Sequence, residues 1–127
     1  MPAYSFKERF VPMILDKTKR QTIRKKRKGQ AKPGSTLYLY FGLRTKWCKK
    51  LGEEICTDVK EIIITKEGYV YVGGTKLTHA EKDQLAFLDG FRNEGSLWMT
   101  PEHCFDIMFR WWNQTHSLPF KGDIIYW

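Results

Sequence analysis

Between Lys17 and Gly52 this chain carries thirteen Lys or Arg and not one Asp or Glu, while the other residues hold nine basic and fourteen acidic ones. The net charge of +8 is therefore local. A charge so concentrated constrains the fold, because a third of the chain must keep its cations at the surface or give each one a partner. The densest part, Lys17 to Lys32, reads KTKRQTIRKKRKGQAK and has nine basic residues. Gln21, Thr22 and Ile23 interrupt it with uncharged, partly β-branched residues, which argues for a strand rather than a solvated tail. A basic strand beside folded structure is suited to binding polyanions. Arg20, Arg24, Lys25, Lys26, Arg27 and Lys28 are the candidate nucleic-acid contacts.

At 127 residues the chain has the length of one domain spanning 1–127. With 42% hydrophobic residues, 15% aromatic and five Trp, it can bury a core and is not a disordered chain. Lys7, Glu8 and Arg9 break the region where a signal peptide needs its apolar run, and no stretch reaches the length of a membrane span. The expectation is a soluble, cytoplasmic protein without a membrane partner. Cys48, Cys56 and Cys104 are odd in number and lack CxxC spacing, which suits free thiols. His103 beside Cys104 has no regular ligand spacing around it, so no metal and no cofactor is assigned.

Taken in order, Phe10, Val11, Ile14 and Leu15 have helical spacing, with Pro12 acceptable in a first turn. A strand around Gln21 to Arg24 places Thr22 and Arg24 on one face and Gln21 and Ile23 on the other. Pro33-Gly34 marks a turn, and Thr36 to Phe41 alternates as a strand with Leu37, Leu39 and Phe41 on one side. Tyr38 and Tyr40 share the opposite side. They are either a platform for unstacked bases or half-buried packing residues of the sheet. Leu43 to Glu54 reads as a loop or short helical turn. Cys56–Thr65 and Gly68–Leu77 read as two strands joined through Lys66-Glu67-Gly68. Thr78 and Glu81 form a capping box that opens a helix to about Leu88, closed by Asp89-Gly90. A further helix is predicted from Thr100-Pro101, with Phe105, Met108, Phe109 and Trp112 on one side, and Gly122–Trp127 is a closing strand. Trp98, Trp111, Trp112 and Trp127 are read as core or as a patch for self-association.

Three segments resemble the ASCH domain, a small barrel of the PUA-like superfamily. They are Arg9-Phe10 through Ile14-Leu15 to Lys19, Thr22, Ile23 and Arg24; Lys32-Pro33-Gly34-Ser35-Thr36-Leu37; and Leu85-Ala86-Phe87-Leu88-Asp89-Gly90-Phe91. Arg44 to Gly52 looks like an insertion relative to the shortest members. The resemblance implies an α+β fold, a PUA-like small mixed β-barrel with two to three flanking helices, and a function linked to RNA. Within that family it resembles the small bacterial branch that removes the acetyl group from N(4)-acetylcytidine. Carried over by motif, the catalytic set is Lys19, Thr22 and Asp89, the last standing where that branch has Glu. The chemistry is coherent, since a Thr hydroxyl attacks only when a base takes its proton, and a desolvated Lys supplies one. Crowding by Arg20, Arg24 and Lys25 is expected to lower the Lys19 pKa. A shift from ~10.4 toward 7 corresponds to roughly 4 to 5 kcal/mol and requires a closed pocket.

The sequence thus leaves two functional classes open. One is an amidohydrolase acting on an acylated base, or a ribonuclease. The other is a non-catalytic module for RNA or single-stranded nucleic acid. Arg24 to Lys28 also matches a nuclear-import patch, a pattern frequent by chance.

Overall fold

In a computed structural model of the chain, residues 2–92 and 103–127 are described. The strands are β1 (Ala3–Phe6), β2 (Gln21–Lys25), β3 (Thr36–Phe41), β4 (Lys49–Ile55), β5 (Asp58–Ile64), β6 (Val70–Val72), β7 (Thr75–Lys76) and β8 (Phe120–Tyr126). The helices are α1 (Val11–Leu15), preceded by a 3-10 turn at Glu8–Phe10, α2 (His79–Leu88) and α3 (Cys104–Thr115). The architecture is mixed α+β, with two sheets ordered β1-β3-β4 and β2-β8-β5-β6-β7. Among the described residues no strand pairing joins the two sheets into a closed barrel.

The first sheet combines a parallel pair, β1 on β3 with Tyr4 opposite Leu39 and Phe6 opposite Phe41, and an antiparallel pair, β3 on β4. Neither β1 nor β4 is expected from sequence. β1 is only four residues long, and β4 reads KKLGEEI, charged and half exposed, because it is an edge strand where such residues discourage further pairing. In the second sheet β8 is central, antiparallel to both β2 and β5. Its Ile124 and Ile125 are fully buried along with Leu37, Ile62, Val70 and Met108. Each such side chain contributes about 1.5–3 kcal/mol by leaving water.

The predicted strand from Gly68 to Leu77 is divided into β6 and β7, since Gly73 and Gly74 turn the chain between them with φ of 58° and 83°. The capping box is present: Thr78 N donates to Glu81 Oε1 at 2.9 Å and Glu81 N to Thr78 Oγ1 at 3.2 Å. At the other end Gly90 closes α2 with φ 102°. A Cβ there would lie 2.7 Å from the Phe10 ring, so both conformation and space call for glycine. The predicted helix start at Thr100-Pro101, and Trp98, lie outside the described residues. At the described beginning of α3, buried Asp83 of α2 accepts a hydrogen bond from Phe105 N at 3.0 Å, so one helix caps the next. Phe105, Met108 and Trp112 are buried and Phe109 is half-buried, as the apolar stripe predicts. Trp112 packs edge-on against Phe120 of β8 at 4.9 Å between centroids. Trp112 and Trp127 belong to the core, and Trp111 is half-buried. No helix among the described residues is long and apolar enough to cross a membrane.

Candidate active site

α1 stops at Leu15 because Asp16 and Lys17 turn the chain away. Lys17 has φ 66°, and the Asp16 carboxylate accepts from both Thr18 N at 2.9 Å and Thr18 Oγ1 at 2.6 Å. Lys19 N then donates back to Met13 O at 3.0 Å. This tight return points a lysine inward: Lys19 is 2% exposed, among the most buried large side chains of the protein. Its ammonium lies 4.9 Å from the Phe10 ring centroid and 5.9 Å from that of Phe6. It donates to the main-chain carbonyl of Asp89 and faces that residue's carboxylate, with Nζ 3.3 Å from Oδ1.

Asp89 reaches this point because it caps α2, its N bonded to Leu85 O at 3.0 Å. Its Oδ1 is buried and makes no hydrogen bond among the described residues, only the 3.3 Å ion pair with the Lys19 ammonium. Thr22 and Arg24 come from β2 and share a face, as strand alternation predicts. Arg24 Nε donates to Thr22 Oγ1 at 3.0 Å and Nη2 to Ser5 O at 2.7 Å. The expected three, Lys19, Thr22 and Asp89, therefore line one cleft of about 240 Å³ together with Arg24. Its walls are aromatic: Phe6, Phe10, Phe91, Trp111 and Trp112.

Electrostatically the cleft holds a buried cation beside a buried acid. Burial is the largest influence on Lys19 and lowers its pKa to about 8, opposed by Asp89 and assisted by the charges of Arg24 and Arg92. Burial likewise pushes the Asp89 carboxyl up, against the pull of Lys19, Gln21 and Arg24. Arg24 is lowered to about 10, again chiefly by burial. Desolvation, rather than crowding by Arg20, Arg24 and Lys25, thus dominates. Of those three only Arg24 acts on Lys19, while Arg92, absent from the sequence reading, replaces the others. Arg92 is buried directly after the Asp89-Gly90-Phe91 segment and donates to Thr18 O at 3.3 Å.

The basic run does not form one uniform face. Arg20 donates to Trp127 O at 3.0 Å and lines a different groove with Thr57, Lys60 and Tyr126. Arg27 Nη2 donates to Ala3 O at 3.0 Å and its guanidinium covers Tyr4, so Arg24 and Arg27 both anchor β1. Lys26 pairs with Asp123 at 2.8 Å and Glu61 at 3.3 Å. Lys25 and Lys28 are exposed, and Lys25 lines the cleft. Tyr38 and Tyr40 are half-buried on β3 and neither lines the cleft; Lys50 Nζ lies 5.6 Å from the Tyr38 ring centroid.

Sequence reasoning also missed His116, which stands at the cleft beside Trp112 with ring centroids 4.8 Å apart. Burial, then Lys7 and Lys25, lower its pKa. The indole Nε1 of Trp112 is buried without a hydrogen-bond partner among the described residues. Three aromatic residues near the end of α3 carried the signal, but their spacing reads equally as core. No family model, curated protein or solved structure matches this chain. What the site can do rests on its own geometry.

Proposed function

We propose that this protein is an ASCH-type, PUA-like domain that takes a modified nucleobase into the aromatic cleft and hydrolyses an N-acyl group from it, as from N(4)-acetylcytidine. The observation that carries this reading is the burial of Lys19 beside Asp89 in the cleft that Thr22 also lines. A lysine with its pKa near 8 is partly neutral at physiological pH, which a general base requires. The volume of about 240 Å³ lies below the roughly 300–1,000 Å³ of drug-sized sites and suits a single substituted ring.

In the proposed reaction Lys19 takes the hydroxyl proton of Thr22 as Oγ1 adds to the acyl carbonyl carbon. Arg24 Nε already donates to that oxygen, so the hydroxyl hydrogen is directed elsewhere and developing negative charge on oxygen is stabilised. Collapse breaks the carbon–nitrogen bond, and the Lys19 ammonium returns its proton to the departing amine. Water, with Lys19 again as base, then cleaves the threonine ester to release the carboxylate and restore the hydroxyl. Trp112 Nε1, buried without a hydrogen-bond partner among the described residues, offers a donor for the polar edge of a base.

The competing reading, a non-catalytic module for RNA, draws on the exposed Lys25 and Lys28. Release of acetate from N(4)-acetylcytidine by the purified protein, followed by chromatography, separates the two. The expected result is turnover that Thr22→Ala abolishes. A folded wild-type protein with no turnover would overturn the hydrolase reading.

A further inference from the structure

Between β3 and β4 the chain makes a turn that the cleft chemistry leaves unused. It is strongly braced. Gly42 and Arg44 adopt φ of 63° and 69°, Thr45 Oγ1 donates to Gly42 O at 2.6 Å and accepts from Trp47 N at 3.2 Å, and Cys48 N donates to Thr45 O at 3.2 Å. What this turn displays is Trp47, 68% exposed and the most exposed of the large hydrophobic side chains among the described residues. Its neighbours in the chain, Arg44, Lys46, Lys49 and Lys50, are all exposed, Lys50 being paired with Glu53 at 3.0 Å, and there is no acid from Leu43 to Gly52. The Lys46 ammonium lies 4.7 Å from the indole centroid.

A flat ring held out in water among cations matches the two demands of a single-stranded polynucleotide, stacking for a base and positive charge for phosphates. Position adds to the match. Leu43 N, at the base of the turn, donates to Ser5 Oγ at 3.2 Å, and Ser5 lines the cleft. We infer that the β3–β4 turn is a docking platform for single-stranded RNA, with one base stacked on Trp47, phosphates held by Arg44, Lys46 and Lys49, and a neighbouring nucleotide delivered to the cleft. This deepens the reading of the cleft as a base-binding site and rests on it. The substrate class then includes an acylated base within a strand as well as the free nucleoside.

The test is fluorescence anisotropy of a short labelled oligouridylate with wild type, Trp47→Ala, Trp47→Phe and the double variant Lys46→Gln/Lys49→Gln. Acetate release from free N(4)-acetylcytidine is measured in parallel. Trp47→Ala is expected to weaken binding by roughly fivefold to a hundredfold, with Trp47→Phe recovering most of it. The double variant flattens the slope of log affinity against log salt by about 1.4. Turnover of the free nucleoside is the same in Trp47→Ala as in wild type. Oligonucleotide affinity of Trp47→Ala within about twofold of wild type overturns the platform, as does the finding that Trp47→Ala abolishes self-association and leaves RNA binding intact. Weakened binding in Trp47→Ala with no acetate release from any protein keeps the platform and defeats the proposed reaction. Acetate release with unaltered RNA binding does the reverse.

Discussion

The Lys19 ammonium and the Asp89 carboxylate lie 3.3 Å apart with both residues almost wholly buried, and the ammonium donates to Asp89's own main-chain carbonyl as well. Lysine and the end of α2 are therefore tied at two points. Breaking such a pair from one side strands the other charge. Lys19→Met is expected to cost about 3 kcal/mol, and Lys19→Met combined with Asp89→Leu to recover most of the loss. Urea denaturation with unchanged m checks this; additive losses in the double variant would show that the two side chains do not act as a pair.

The acidic limb of the pH–rate profile follows Lys19. Its neutral form is the proposed base, so kcat for acetate release is expected to rise as pH increases through about 8. Arg92 lowers the Lys19 pKa through like charge, and Arg92→Met should move the limb to higher pH. A limb that stays put or moves down would remove Lys19 from the base role.

The same group makes stability depend on pH. The folded pKa, about 8, lies below the ordinary lysine value of 10.5, so between those values the unfolded chain binds more protons than the folded one. The contribution of Lys19 to stability therefore increases as pH rises from about 8 toward 10.5. Lys19→Met should flatten that part of the stability–pH curve.

Two glycines with left-handed backbones should respond differently to alanine. At Gly34, φ is 90° and a new Cβ meets nothing within 4 Å, so the cost is the conformational one, about 1 kcal/mol. At Gly90 the Cβ also strikes Phe10, giving a cost of about 2 kcal/mol or more, and acetate release should fall because Asp89 is the preceding residue. Thermal unfolding of the two variants side by side decides it; equal losses would contradict the packing argument.

Much of the local structure was legible because it depends on near neighbours in the chain. The capping box at Thr78, the turn at Gly90 and the common face of Thr22 and Arg24 are all set within a few residues. β4 was not legible. Its charged residues are tolerated by an edge position that only the pairing with β3 reveals. Nor was the fate of the basic run, where Lys26 finds Asp123 and Arg20 finds Trp127 far along the chain. Five of the expected site residues, Lys19, Thr22, Arg24, Lys25 and Asp89, do line one cleft, yet its aromatic walls and Arg92 come from segments whose composition spells core as readily as site. Trp47 passed unnoticed for the opposite reason, since an exposed tryptophan looks the same in sequence as a buried one.

The central place of β8 bears on how the protein is made. β2, which carries Thr22, has β8 as its hydrogen-bonded neighbour, and Arg20 waits for a carbonyl 107 residues downstream. Until the ribosome has released that far segment, β2 lacks its partner strand and Lys26 lacks Asp123. The sheet that carries Thr22 therefore forms only after most of the chain has been made, and the basic residues tied to β8 meet their partners only then.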